Sequence, residues 1–506
     1  MSKIAQPRII NIKSRKFYTT MSTTATENSV NYLHLGNKLL RQGNFAEAAD
    51  AYRQVIKLNP KSVVGYQNLG ETLSLQGNLE EAANIYHQAI QLQKNSPWSY
   101  YNLGEIMIKL KRFDEAIIYL RQAIELNPDF ANFYQSLGLA LAKKELFDQA
   151  IVTYRRALEI DPNTTLTYQY LGKALASQQQ WDEAIESFNQ AIGINPYLSE
   201  YHLGLGKVLQ NAGQIEQAII YYNQALELDP HLAEAYYYIG SALTNLQRWD
   251  EAINACMQAI SLNVKNAEIY HHLGTALAKL QRWQEAVAAY QNAIEFNPNS
   301  GIIHHHLAYA LAQLKQWDEA VVEYREVIKI NPNSAIVYDQ LGEALTEMQK
   351  WDEAINCYQK AVEINPDNQQ FNQHLQEALA RKQEKNKTVI QSHLKLAEMM
   401  EQQGFLDEAI SAYRRVVSLN PTAADLHHKL GYTLAKLERW NEAISSYRQA
   451  IELYPNSEVV HYHLGEALAN LGLDEQAISS LKKAIELKPD LWSAHQALEK
   501  LQAKQK

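Results

Sequence analysis

Three consecutive histidines, His304, His305 and His306, are the residues whose type and spacing first suggest chemistry in this 506-residue sequence. Imidazole nitrogens bind zinc and other transition metals. The three histidines lie in a stretch with a helical pattern, and consecutive side chains of a helix point in different directions. The rings therefore cannot converge on one ion, and we predict no metal site.

Catalytic and cofactor-binding motifs are absent from the sequence. It has no Gly-rich phosphate loop, no nucleophile elbow and no paired cysteines at zinc-site spacing. Its two cysteines, Cys256 and Cys357, are too few for a disulfide framework and fit a reducing compartment. We therefore predict no catalytic residue, no cofactor and no enzymatic activity.

The element that must position any functional residue is a unit of 34 residues, which is clearest at residues 267–300. Leu273 and Leu277 belong to one apolar stripe at helical spacing, and Tyr290 and Ala293 belong to a second stripe after a break. Helices of this length are marginal when isolated, and each has one apolar face that must be covered. Each helix therefore covers the other, and the next unit covers both.

Copies of this unit recur in phase along most of the chain. In each copy a Gly or Ala follows a large apolar residue, and another Ala follows twelve residues later. The small residues at the first of these places are Gly36, Gly70, Gly104, Gly138, Gly172, Gly206, Gly240, Gly274, Ala308, Gly342, Ala397, Gly431 and Gly465. This pattern resembles the tetratricopeptide repeat.

The resemblance implies an all-α fold, a right-handed superhelical solenoid of antiparallel helix pairs. In this family the first helix of each repeat lines an inner concave groove, and the second helix forms the outer wall. The resemblance also implies that the partners are proteins or peptides.

The register of the units predicts how the chain is divided. The segments are a leader at residues 1–28, ten repeats at 29–368, an irregular helical seam at 369–389, three repeats at 390–491 and a capping helix at 492–506. No Gly or Pro occurs between Pro366 and Gly404. The seam is therefore either one continuous helix or two helices broken near Asn386.

Residues 1–28 are basic and rich in Ser and Thr, and we predict that they are disordered. The alternatives are a targeting peptide, and a misplaced start with Met21 as the true first residue. We expect the protein in the cytoplasm, or in an organelle if this segment is a transit peptide.

Charge and hydropathy limit the classes of partner. The net charge is −9 and no basic stripe is visible, so we predict no binding of nucleic acid. No run approaches the ~20 apolar residues of a membrane span. The sequence does not indicate an oligomeric state.

Aromatic and imidazole side chains are concentrated at the groove positions of the first helices. Rings of this kind give contact area at low entropic cost, which favours recognition. With an ordinary pKa near ~6.5, the histidines would add positive charge to the groove as pH falls from about 8 to 6. The predicted partner-binding residues are Tyr170, Tyr237, Tyr238, His271, His272, His305, His306, Tyr309, His428, Tyr462 and His463.

We predict a non-catalytic scaffold that binds extended segments of partner proteins in its groove, in assembly or regulation. The alternative is the targeting subunit of a separately encoded transferase, because the array resembles the amino-terminal superhelix of O-linked N-acetylglucosamine transferase. In that family a ladder of asparagines holds the substrate backbone. Only Asn68 and Asn102 match the ladder here, and the equivalent place later holds His272 and His306. No transferase domain follows the array in the 506 residues, so we expect a catalytic partner to be a separate protein.

Overall fold

A computed structural model describes residues 23–504, which form 27 helices and no strand. The chain divides into two compact units, one ending at Pro298 and the other running from Asn299 to Lys506. Helices adjacent in sequence pack in pairs within each unit. The predicted all-α fold of repeated helix pairs is confirmed.

The first unit contains eight helix pairs. Their helices are α1 (Thr23–Arg41), α2 (Phe45–Leu58), α3 (Val63–Leu75), α4 (Leu79–Leu92), α5 (Pro97–Lys109), α6 (Phe113–Leu126), α7 (Ala131–Lys143), α8 (Phe147–Ile160), α9 (Thr165–Ser177), α10 (Trp181–Ile194), α11 (Ser199–Asn211), α12 (Ile215–Leu228), α13 (Ala233–Asn245), α14 (Trp249–Ser261), α15 (Ala267–Lys279) and α16 (Trp283–Phe296).

The second unit contains the remaining helices. They are α17 (Gly301–Gln313), α18 (Trp317–Ile330), α19 (Ala335–Glu347), α20 (Trp351–Ile364), α21 (Gln369–Gln403), α22 (Leu406–Leu419), α23 (Ala424–Lys436), α24 (Trp440–Leu453), α25 (Glu458–Asn470), α26 (Asp474–Leu487) and α27 (Trp492–Lys504).

The two helices of a pair lie close together because the first helix has no side chain at the point of closest approach. A Cβ atom built on Gly172 of α9 would lie 2.8 Å from two ring carbons of Phe188 in α10. A Cβ atom built on Gly70 would likewise lie 2.7 Å from the nearest ring atom of Tyr86. The recurring glycine in the sequence is therefore a packing requirement between the paired helices.

The turn inside each described helix pair contains one residue with positive φ. This backbone conformation costs an L-residue roughly 1–2 kcal/mol, although Gly adopts it freely. Gly occupies the place in only some of the pairs. The residues are Gly43, Gly77, Lys111, Glu145, Gln179, Gly213, Gln247, Gln281, Lys315, Gln349, Gly404, Glu438 and Gly472.

The seam is one continuous helix, α21, which resolves the alternative left open by the sequence. Its first half packs against α20 and its second half against α22. Gln383 stands where the other repeats turn but lies inside this helix. The first half thus has no second helix of its own, and the second half is the first helix of the next repeat.

The two ends of the array lie partly outside the described residues. The predicted leader falls outside them at residues 1–22, whereas residues 23–28 are the first residues of α1. At the other end α27 packs on α26 with Ala494 and Leu501 buried. The division into compact units falls at Pro298 and not in residues 369–389, so the predicted segment boundaries stay predictions.

A change of Gly172 to Leu tests the close approach of the paired helices. We expect a loss of about 1–3 kcal/mol in the free energy of unfolding, because the added side chain must displace the Phe188 ring. The loss should be confined to neighbouring repeats, since each repeat contacts only its neighbours. Urea unfolding and hydrogen exchange measure both effects.

Gly193 in α10 provides the matched control. A Cβ atom at Gly193 would meet nothing within 4 Å, so Gly193→Ala should not destabilise the protein. Equal destabilisation by both substitutions would contradict the packing argument. If hydrogen exchange in Gly172→Leu rose as much near Gly465 as near Gly172, the argument that each repeat contacts only its neighbours would be contradicted.

Limited proteolysis tests the seam. No residue between Ala378 and Ala397 is buried, so few apolar contacts oppose local unfolding of this part of α21. Its polar contacts are exposed, such as Lys385 Nζ donating to Gln349 Oε1 at 3.1 Å, and exposed contacts add little stability. Outside the leader, trypsin should cut first at Arg381, Lys382, Lys385 or Lys387. An earlier cut inside a helix pair would show that the seam is not the weakest segment.

Candidate partner-binding surface

The first helices form the inner face of each unit. First helices of consecutive repeats contact one another, for example α5 with α7 in the first unit and α23 with α25 in the second. No comparable contact joins consecutive second helices among the described residues. A stack that is narrower on the side of the first helices curves toward that side. The predicted groove positions therefore lie on an inner face within each unit.

Side-chain amides line the inner face near the N-terminal end of the first unit. Asn68 Nδ2 donates to Asn37 Oδ1 at 3.1 Å, and the hydroxyl of Tyr52 donates to the same oxygen at 2.8 Å. The half-buried carboxyl of Glu71 lies nearby, and burial raises its pKa. These side chains use part of their hydrogen-bonding capacity on each other, and Asn68 is therefore only partly available to a ligand.

Tyrosines continue the inner face of the first unit. Tyr170 stacks on buried Tyr154 with ring centroids 5.9 Å apart, and Tyr238 stacks on buried Tyr222 at 5.7 Å. Tyr237 contacts Tyr238 edge to face at 4.9 Å and donates its hydroxyl hydrogen to Glu268. The three predicted tyrosines are thus half-buried rings anchored on the core beneath them.

Charged groups lie beside these rings. Lys207 Nζ lies 4.5 Å from the centroid of Tyr238 and also pairs with Glu234. Lys173 is exposed, and its pKa is lowered by partial burial of the ammonium group and by the like charges of Lys207 and Lys143. Lysine and glutamate side chains are therefore mixed beside these rings.

The consecutive histidines do not share one environment. His304 is buried, and its Nδ1 lies 2.5 Å from Glu323 Oε2 of α18. His305 turns toward the next first helix, where its Nε2 lies 2.6 Å from Gln340 Oε1. The ring centroids of His305 and His306 are 5.8 Å apart. Helical geometry therefore separates His304 from its two neighbours, as the sequence analysis expected.

His271 and His272 are half-buried in the first unit, with ring centroids 6.2 Å apart. Burial lowers the pKa of His272, and the Glu268 carboxylate opposes this effect. The value near 6.5 expected from the sequence is therefore wrong for His272, which takes up a proton only at lower pH.

His428 and His463 form the closest imidazole pair in the second unit. Their rings are nearly parallel at 5.0 Å, and His428 Nε2 lies 2.8 Å from His463 Nδ1, so one ring donates to the other. Tyr462 lies 5.2 Å from His463, and buried Tyr447 lies beneath both imidazoles. Two sequence-predicted positions from consecutive repeats are thus joined directly.

The environment keeps this pair uncharged. Burial, followed by the like charge of His463, lowers the pKa of His428 to about 4. Burial also lowers the pKa of His463. At neutral pH the inner face of the last repeats therefore presents neutral rings, and His428 does not gain the charge that the sequence analysis expected between about pH 8 and 6.

Several groups on the inner face were missed by the sequence analysis. Buried Asp339 accepts from His374 Nδ1 at 2.8 Å, and burial raises the pKa of this carboxyl despite the imidazole. Tyr432 lies 5.2 Å from His463 and carries Lys436 over its ring at 4.6 Å. Asp339 occupies the same repeat position as His305 and His428, which is the sequence signal that could have found it. Tyr309, which the sequence analysis did predict, is exposed on the same face.

Neither a metal centre nor a membrane span is visible in the part of the chain that the structure describes. No group of three or more His, Cys, Asp or Glu side chains between residues 23 and 504 could hold an ion. None of these helices combines the length and the apolar character that a membrane span requires.

Comparison with known families identifies the repeats. Tetratricopeptide repeat profiles match residues 33–97, 73–138, 337–368, 401–438, 433–472 and 459–491. The profile of the C-terminal domain of cilia and flagella-associated protein 70 matches residues 134–331. No curated protein matches the chain.

Solved structures of repeat proteins resemble parts of the chain. YrrB, described as a TPR protein with an unusual peptide-binding site, is 27% identical, with 39% of this chain and 99% of YrrB covered and a TM-score of 0.36. MamA is 30% identical, with 35% of this chain and 96% of MamA covered and a TM-score of 0.32. The APC/C hetero-tetramer Cut9-Hcn1 is 15% identical over 95% of this chain and 99% of that chain, with a TM-score of 0.37.

The chain belongs to the tetratricopeptide repeat family. A scaffold for protein interactions is the class of function that this repeat fold supports.

The neutral imidazole pair gives a prediction about pH. Between about pH 6.5 and 4 His428 binds more protons in the unfolded chain than in the folded protein, because its folded pKa is about 4. Stability is therefore lost as pH falls through this window. The urea midpoint should fall less between pH 7 and 5 in His428→Gln than in the wild type. His231→Gln, a change at an exposed histidine, should behave like the wild type. An identical fall in His428→Gln and the wild type would contradict the assignment.

Proposed function

We propose that the protein is a non-catalytic scaffold whose inner face binds extended segments of partner proteins, in assembly or regulation. The observation that carries the proposal is that polar and ring side chains contact each other from one first helix to the next. In the second unit these contacts are His305 with Gln340, Asp339 with His374, and His428 with His463. Together they make a row of polar contacts across successive repeats.

The spacing of this row suits an extended chain. Packed helices lie about 8–10 Å apart, and an extended segment advances about 3.3 Å per residue. About three residues of a bound segment would therefore pass each first helix. Alternate side chains of the segment would meet successive polar contacts of the row. The rings supply contact area at low entropic cost, while amides and imidazoles supply donors and acceptors.

The neutral state of the rings favours a partner segment that carries polar and aromatic groups. A segment chosen only by negative charge would need cationic imidazoles, and burial keeps His272, His428 and His463 neutral near pH 7. These three imidazoles therefore do not favour an acidic partner segment near pH 7.

The alternative is the targeting subunit of a separately encoded transferase. The asparagine row that would support it is short, and Asn68 already donates to Asn37. We propose a cytoplasmic location for either function.

Site-specific photocrosslinking in full-length protein tests the inner face. A photoreactive phenylalanine analogue at Tyr170 or Tyr462 should crosslink partner peptides in a cell extract, and mass spectrometry should identify the same peptides in independent preparations. The matched control is the analogue at Val152, which is 66% exposed on the second helix α8. Partner peptides recovered mainly from Val152 would refute an inner-face site. A stoichiometric transferase among the partners would favour the alternative function.

A further inference from the structure

The second half of α21 has a helix face that the repeat architecture normally covers. In α25, the residues Val460, Leu464 and Ala467 are buried in one apolar cluster with Tyr447 and Ala450 of the preceding second helix, α24. The first helix of a repeat thus depends on the second helix before it. The three α25 residues of this face are spaced i, i+4 and i+7 along the helix.

The same face of α21 consists of Ser392, Leu396 and Met399, which we call the open face. Leu396 is 37% exposed and Met399 is 45% exposed, while Ser392 is also exposed. Leu464 and Ala467, which are the equivalents of Leu396 and Met399 in α25, are 7% and 1% exposed. The difference follows from the seam, because the first half of α21 continues as helix instead of turning back into a second helix.

Some equivalent positions elsewhere in the array carry polar residues where no helix covers them. The first half of α21 has no second helix of its own, and Gln376 replaces the close-packing glycine there. In α1 the equivalent of Met399 is the exposed Lys38. Met399 is therefore apolar and exposed where α1 has a lysine, whereas Leu396 has an apolar and 45% exposed equivalent in α1, Leu35.

We propose that the open face binds an amphipathic helix of a partner protein, which takes the place of the missing second helix. The helix that fits carries the pattern of this protein's own second helices, with a ring and a small residue three positions apart, as in Tyr447 and Ala450 of α24. It runs antiparallel to α21, as a second helix does beside its neighbours. This surface is separate from the inner face, so it stands independently of the function proposed above.

Charge complementarity and size favour a single helix. An antiparallel helix over the open face ends near Lys387, which is exposed and has no ion-pair partner among the described residues. A cation near the C-terminus of a helix is favoured by the helix dipole, and a terminal carboxylate adds to this attraction. An interface with a second copy of the chain would bury about 800 Å² of surface on each copy. The three residues of the open face instead match the contact area of one bound helix.

A peptide with the sequence of α24, Trp440–Leu453, is the probe. Fluorescence anisotropy with the full-length protein should show saturable binding of the labelled peptide. Leu396→Glu and Met399→Glu should each weaken binding at least about tenfold, because a carboxylate is then buried against an apolar helix. Both residues are exposed, so the variants should keep the wild-type circular dichroism and urea midpoint.

The matched control is Met257→Glu, since Met257 is 56% exposed on α14 and lies outside the open face. Binding unchanged by Met257→Glu and lost in both variants supports the proposal. Equal binding of a scrambled peptide, or equal affinity of Met399→Glu and wild type, would overturn it. A concentration-dependent dimer in sedimentation that Met399→Glu abolishes would also overturn it, because a second copy would then cover the face.

Discussion

The structure depends on one contact, in which a side chain of a second helix, in most pairs a ring, lies on the small residue of its first helix. At Gly172 a single added carbon atom would come within 2.8 Å of the Phe188 ring. This contact sets the distance between paired helices, which in turn places the first helices near enough to contact each other. The row of side-chain contacts along the inner face therefore depends on the glycine, which lies on the opposite side of the same first helix. The contact also explains why the glycine is absent from the first half of α21, which has no second helix and carries Gln376 at that position.

The same dependence explains the seam. Each repeat needs a neighbour on both sides, because its first helix is covered by the second helix before it and by its own second helix. When one second helix is missing, both neighbouring faces lose their cover. The first half of α21 meets this loss with a polar residue at Gln376, whereas its second half keeps the apolar Leu396 and Met399. A regular array thus becomes, at one place, a surface on which another helix can complete the fold.

Burial controls the electrostatics of the inner face. An imidazole in water is a titratable group near pH 6.5, but the charged form is disfavoured when the ring is packed on a tyrosine and beside a second imidazole. His428 and His463 are in this position, and their pKa values are lowered. The face is therefore defined by hydrogen bonds and ring contacts more than by charge in the last repeats. In the first unit, by contrast, Lys207 pairs with Glu234 and lies over the ring of Tyr238, so a charged pair borders the rings there.

The sequence by itself determined the repeat, the helix pairs and the face on which the candidate residues lie, because a fixed period places equivalent residues at equivalent positions. It identified His428 and His463 as candidates, but their mutual hydrogen bond and lowered pKa values required packed coordinates. The continuity of α21 was also decided only by tertiary structure. Gln383 is the same residue type as Gln349, yet Gln349 adopts a left-handed turn and Gln383 stays helical. The left-handed turn costs free energy that packing of a following second helix offsets. After Gln383 no helix packs back on the first half of α21, and the chain continues as a helix.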